Sequence, residues 1–85
     1  MKLPIIKQFV NFAEEKDVDF LHDTLATLEN LIECDRISDQ ELDVIGELMS
    51  NLSAAIEVTK EIQEGKLKTD AINGFMKRVM GSIDK

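Results

Sequence analysis

The chain has 85 residues, of which 44% are hydrophobic and 32% are charged, and its formal net charge at pH 7 is −7. A single domain of this length buries only about 60% of the surface that its unfolded chain exposes, so association with another chain would add stability. The composition excludes a disordered chain and the apolar runs are too short to span a bilayer, while the negative charge of the body repels nucleic acid.

Two helices are predicted before residue 34. Pro4 suits the first turn of a helix that ends near Lys16, because the N–H that proline lacks has no helical partner there. The second helix is predicted to begin at a cap formed by Asp17 or Asp19 and to end before a turn over residues 34–37. In both helices apolar residues recur at three- and four-residue steps, which is the spacing of one helical face. They are Ile5, Ile6, Phe9, Val10, Phe12 and Ala13 in the first helix and Val18, Leu21, Leu25, Leu28, Leu31 and Ile32 in the second.

The third predicted helix, residues 38–64, is the longest. Ser38 and Glu41 form a capping box, in which hydroxyl and carboxylate each accept a backbone N–H, and Gly65 can adopt the left-handed conformation that ends a helix. At about 1.5 Å per residue this helix spans roughly 40 Å, whereas a compact chain of this size is only about 30 Å across. It therefore either bends near Asn51, where helix propensity is weak, or extends past a globular monomer.

The apolar periodicity of the third helix continues through its polar centre, which favours association over bending. We therefore predict a homodimer to which the long third helices contribute an interface. The residues of the predicted dimer face are Leu42, Ile45, Met49, Leu52 and Ile56.

Residues 65–68 are predicted to connect to a last helix that is capped by Thr69 with Asp70. Its apolar face comprises Ile72, Phe75, Met76, Val79, Met80 and Ile83. A candidate surface for a protein partner consists of Met76, Lys77, Arg78 and Met80. Basic amphipathic helices with methionine bind acidic partners, membranes or nucleic acid. Alternatively, the apolar half belongs to the core and the basic half offsets the acidic centre of the chain.

Connections of about four residues make sequential helices antiparallel neighbours. The predicted fold is therefore all-α, an up-and-down helical bundle of about four helices in a single domain, residues 1–85, with one long central helix and completion by dimerisation. Gly46 and Gly74 lie inside predicted helices, where each costs up to about 1 kcal/mol relative to alanine. Close approach of helix backbones at a crossing is the expected reason for both glycines.

The sequence offers few groups for chemistry. His22, the one histidine, follows Asp19 by three residues, but a di-metal bundle needs Glu-x-x-His on two helices and further glutamates. No metal or other cofactor is predicted. Cys34, the one cysteine, lies about three helical turns from His22, so the two cannot pair as nucleophile and base. Its acidic neighbours disfavour a reactive thiolate, and a lone cysteine fits a reducing compartment.

The N-terminal apolar run is interrupted by Pro4 and Lys7 and lacks a small-residue cleavage site. A signal peptide is therefore not expected, and a cytoplasmic location is the default expectation. Neither nucleic acid nor a membrane is an expected partner.

Three segments resemble a known group of proteins. MKLPIIK at the start, DQELDVIGELMSN in the centre and NGFMKRVMGSIDK at the end are similar to a family of small bacterial proteins of unknown function. This resemblance covers nearly the whole chain and implies no activity, cofactor or site residue. The sequence favours a non-enzymatic adaptor that acts through homodimerisation and an unknown protein partner. The alternative is a redox-linked accessory protein that uses the thiol of Cys34.

Overall fold

A computed structural model describes the backbone of residues 1–83 and the side chains of residues 1–79. Within that part of the chain, four α-helices follow one another. They are α1 (Leu3–Glu15), α2 (Asp19–Leu31), α3 (Asp39–Gln63) and α4 (Lys68–Ile83). α3 is the longest helix and packs against each of the other three, so the predicted all-α fold with a long central helix is confirmed.

The first two helices begin near the predicted signals. Pro4 lies in the first turn of α1, where its missing N–H leaves no gap in the helical hydrogen bonds. At the start of α2, the Asp17 carboxylate accepts the backbone N–H of Asp19 at 2.8 Å. The N-cap residues themselves, Lys2 and Val18, form no side-chain cap hydrogen bond, so neither Asp17 nor Asp19 is the N-cap of α2.

α4 begins earlier than the sequence predicts. The backbone N–H of Ala71 donates to the carbonyl oxygen of Leu67 at 2.8 Å, and the helix includes Lys68. Thr69 and Asp70 consequently lie within the first turn rather than before it. The carboxylate of Asp70 is still favourably placed there, because it lies near the positive end of the helix dipole.

Both ends of α3 carry the predicted motifs. The Ser38 hydroxyl accepts the backbone N–H of Glu41 at 3.1 Å, and the Glu41 carboxylate accepts the backbone N–H of Ser38 at 3.0 Å. At the other end, Gly65 has a φ of 107°. The N–H groups of Gly65 and of the next residue donate to carbonyls of the last turn at 3.0 Å, which is a Schellman motif.

The core surrounds only the second half of α3. No residue from 39 to 50 is buried, whereas six residues from 51 to 59 are. The buried apolar residues of the described chain are Ile6, Val10, Ala13, Leu21, Leu52, Ala54, Ala55, Val58, Ala71, Ile72 and Phe75. α2 contributes Leu21 alone, from its first turn. The end of α2 and the start of α3 therefore extend beyond the core as a helical hairpin.

Asn51 marks the point on α3 where coverage by α1 begins. Its side chain is fully buried, and its Oδ1 accepts the backbone N–H of Lys2 at 2.9 Å. Its Nδ2 has no hydrogen-bond partner among the described residues. α3 continues through this position as one helix, because the amide that weakens helix propensity binds the start of α1 instead of competing for the backbone of α3.

The molecule is flattened. Its principal extents are 42 × 36 × 17 Å, and its radius of gyration of 13.8 Å exceeds the roughly 12 Å of a compact chain of this length.

The two glycines inside helices do not mark close helix crossings, which corrects the expectation from the sequence. A Cβ added at Gly46 would meet no atom of the described chain within 4 Å. A Cβ added at Gly74 would reach only the flexible end of the Arg78 side chain, at 4.0 Å. Gly46 therefore weakens α3 with no compensating contact among the described residues.

Alanine at two glycines should change stability in opposite directions. We expect Gly46→Ala to raise the free energy of unfolding by about 0.5–1 kcal/mol, because alanine is the better helix former and has room there. Gly65→Ala should lower it by about 1–2 kcal/mol, because a Cβ is strained in the left-handed region. Urea denaturation followed by circular dichroism measures both. Destabilisation by Gly46→Ala would show that this face of α3 is tightly packed.

Candidate functional site

The groups considered for chemistry remain apart. His22 is exposed on α2, and Cys34 is exposed in the turn after α2, where its N–H donates to the Leu31 carbonyl at 3.0 Å. Among the described residues, no group of three or more His, Cys, Asp and Glu side chains could hold a metal ion. None of the described helices has the length and apolar composition needed to cross a membrane.

The predicted partner surface on α4 is partly used within the chain. Met76 is half-buried and packs against the core, whereas Lys77 is exposed. The Arg78 guanidinium lies 5.7 Å from the ring centroid of Phe75 and forms ion pairs with α3. The side chain of Met80 lies outside the described residues. Lys77 and Arg78 are both exposed on this surface, and Arg78 also offsets acidic charge on α3.

Glu61 connects α3 with the following turn and with α4. One carboxylate oxygen lies 3.3 Å from Lys66 Nζ, and the other lies 3.1 Å from Arg78 Nη2. The hydrogen bond from Lys66 is the main reason that the pKa of Glu61 is lowered. Partial desolvation opposes this shift, while the charges of both cations and the Arg78 hydrogen bond reinforce it. The ion pairs of Glu61 therefore connect the end of α3 with the following turn and with α4.

Acid should destabilise the fold partly through Glu61. A carboxyl whose pKa is lowered by folding contributes stability above its unfolded-state pKa of about 4.3, and this is lost as the pH falls through the lower folded-state pKa. We expect Glu61→Gln to be less stable than the wild type at neutral pH and to lose less stability on acidification. Thermal denaturation of the wild type and of Glu61→Gln, from neutral pH to below about pH 4.3, measures the loss of stability of each protein.

The matched control for this experiment is Glu64→Gln, which changes a glutamate at the same end of α3. It should keep the acid sensitivity of the wild type. If Glu61→Gln keeps it as well, the ion pairs of Glu61 do not stabilise the fold.

Exposed apolar side chains cluster at the tip of the α2–α3 hairpin, residues 31–48. The large exposed hydrophobic residues in this segment are Leu31, Ile32, Leu42, Val44 and Leu48. Exposed apolar patches typically mark interaction sites, whereas single exposed apolar residues are common on any surface. The hairpin tip is therefore the candidate functional site.

One side of the hairpin tip continues the core face of α3. Val44, which is 60% exposed, precedes Leu48 by four residues, and Leu48 precedes the buried Leu52 by four. Residues at this spacing share one helical face. We define the tip ridge as Leu31, Ile37, Val44 and Leu48. The first three of these residues line a cavity of about 460 Å³ together with Gln40, Glu41 and Ile45.

The position of α1 explains why the tip ridge is exposed. α1 begins beside Asn51, where Lys2 donates its backbone hydrogen bond. The ridge residues of α3 lie before that point in the chain, so α1 does not reach them. The residues that line the ridge cavity come from α2, α3 and the connection between them.

A second apolar surface lies between α2, α3 and α4. We define the side groove as Leu25, Ile32, Leu42, Gly46, Met49 and Phe75. These residues line a cavity of about 690 Å³, which has a volume typical of binding sites. The open space beside Gly46 is part of this groove.

The structure distributes the predicted dimer face between surface and core. Leu42 is exposed, and Ile45 and Met49 are half-buried. Leu52 is only 2% exposed and lies in the core, and Ile56 is half-buried against it. The face as a whole is therefore not a free surface of the single chain.

Sequence reasoning missed Val44 as a candidate interface residue. The steps of four residues from Val44 through Leu48 to Leu52 could have identified it, because they place it on a face that becomes buried further along. The apolar pattern that begins at Leu42 predicted an interface on the neighbouring face of α3 instead.

The fold and its surfaces define a small all-α protein with a projecting helical hairpin. The chain belongs to a family of unknown function, DUF6952, whose model matches residues 1–84. This confirms the resemblance to a family without an assigned activity. Comparisons with curated proteins and with solved structures find no match.

Proposed function

We propose that this protein is a non-enzymatic adaptor that forms a homodimer through the tip ridge and holds another protein on a surface that the dimer leaves free. The observation that carries this proposal is the uncovered continuation of the core face of α3 through Leu48 and Val44. A second copy supplies the same apolar ridge, so a two-fold arrangement can cover both ridges at once.

The accessible surface of the chain supports association. The chain exposes 5963 Å², whereas the usual scaling gives about 5,100 Å² for a compact monomer of 9.6 kDa. The excess of about 900 Å² is close to the roughly 800 Å² that each partner buries in a standard protein interface. An interface of ordinary size would therefore reduce the accessible surface of each chain to about the value expected for a compact monomer of this mass.

Charge around the hairpin affects how strongly two copies associate. Residues 17–47 hold ten acidic residues and one basic residue, Arg36. Two such hairpins repel each other, so the apolar contact must exceed the repulsion. Added salt screens surface charges at distances beyond about 10 Å at 0.1 M. The dissociation constant of the dimer should therefore fall as salt is added. The dissociation constant of an interface held by ion pairs would rise instead.

Polar substitution of the tip ridge should produce monomers. We expect Val44→Gln combined with Leu48→Gln to raise the dimer dissociation constant at least about 100-fold, because each apolar side chain is lost from both copies. Helix content should be retained, since glutamine is a good helix former and neither side chain lies in the core. Light scattering after size-exclusion chromatography under reducing conditions measures the mass without any contribution from a Cys34 disulfide.

The matched control is Leu67→Gln, which removes an apolar side chain that is 72% exposed and lies away from the hairpin tip. This variant should retain a mass of twice the 9.6 kDa chain. A wild-type protein that remains at 9.6 kDa at high concentration and high salt would exclude the homodimer. A ridge variant that dimerises like the wild type would place the interface elsewhere.

A further inference from the structure

The side groove differs from the tip ridge in its charge. Among the described residues, its lining includes the acidic side chains of Glu29 and Glu57, and it also includes Met1, whose N-terminal ammonium pairs with Glu47 at 3.3 Å. Glu57 also pairs with Arg78 at 3.5 Å, and this contact lies at the α4 end of the groove. α2, which supplies Glu29 and one apolar wall, lies in a segment, residues 17–35, that has six acidic residues and no lysine or arginine. A partner for this groove must therefore tolerate or complement negative charge.

The shape of the groove suits a helix. Its walls come from two adjacent helices, α2 and α3, and Phe75 of α4 contributes apolar surface. Helical partners typically insert apolar side chains at i, i+3 or i+4, and i+7 into such a groove. Gly46 lies in the lining with no described atom within 4 Å of an added Cβ, so a partner side chain can approach the backbone of α3 there.

We propose that the side groove binds an amphipathic helix of a partner protein whose polar face is basic. This inference rests on the proposed adaptor function and names the class of partner that the adaptor holds. The apolar face of the partner would contact Leu25, Leu42 and Met49, while its lysine or arginine side chains would reach Glu29 and the acidic surface of α2. Opposite charges across the rim favour this partner and disfavour acidic ones.

A second copy of the chain fits the side groove less well than a basic helix. The chain carries a net charge of −7, and its own basic helix, α4, uses Phe75 and Met76 in or against the core. Inserting α4 of another copy would therefore require α4 to leave its own domain. The groove and the ridge are thus expected to bind different partners.

The test uses two synthetic amphipathic peptides of about 18 residues, which is long enough for a helix to form on binding. Both have leucines at i, i+4, i+7 and i+11, and the polar face carries lysines in one peptide and glutamates in the other. Fluorescence anisotropy measures binding to the full chain. We expect the lysine peptide to bind at least about tenfold more tightly than the glutamate peptide, and added salt to reduce this difference.

Variants locate the binding site. Leu42→Gln combined with Met49→Gln should weaken binding of the lysine peptide at least about tenfold, because both side chains line the groove. Glu29→Lys should reduce the preference for the lysine peptide. The ridge variant, Val44→Gln with Leu48→Gln, is the control and should bind the lysine peptide like the wild type while its mass falls to that of a monomer.

The two proposals fail in different ways. Equal binding of both peptides, or binding that the groove substitutions leave unchanged, would overturn the basic-helix inference while the measured mass still reports on the dimer. Loss of peptide binding in the ridge variant alone would place the peptide on the tip ridge and would also overturn it. A monomeric wild type that binds the lysine peptide in the groove would exclude the homodimer and leave the groove proposal supported.

Discussion

The hydrogen bond from the Lys2 N–H to the buried Oδ1 of Asn51 joins the start of α1 to the point on α3 where the core ends. α1 begins at that bond and covers the second half of α3, in which the buried residues of this helix all lie. Before that bond, α3 continues for twelve residues without one that is buried. The exposed ridge is thus a direct consequence of the position of α1, because the apolar face of α3 does not end where α1 does.

Charge separates the two ends of the molecule. At the end of α3, Glu61 contacts Lys66 and Arg78, so acidic and basic side chains compensate one another within the chain. At the hairpin tip, acidic residues are much more numerous than basic ones, with Arg36 the one cation between residues 17 and 47. The ion pairs at the end of α3 connect parts of the same chain. The excess negative charge at the tip opposes contact between two copies of the chain and favours contact with a basic molecule.

The sequence could predict features that depend on neighbouring residues. Ser38 with Glu41 and Gly65 act over three or four residues, so the ends of α3 were correctly predicted. Contacts between distant residues could not be read in this way. Asn51 looked like a weak point of the helix because its partner, Lys2, is 49 residues away.

The same reason explains what periodicity could not predict at the candidate site. Periodicity identified an apolar face from Leu42 to Ile56, but it could not show that Leu52 is buried within the chain. It could not show either that Val44, on an adjoining face, stays exposed. Gly46 was expected at a helix crossing, and no described atom approaches it. Which helix covers which face depends on where each one docks, and local spacing carries no information about that.

Hydrogen exchange of the α3 amides at increasing protein concentration tests the central claim most directly. If a second copy covers the tip ridge, protection of residues 43–50 should rise with concentration, and it should rise more than protection of residues 51–63, which the core already covers. Protection of residues 43–50 that does not change with concentration would contradict the claim that a second copy covers this face.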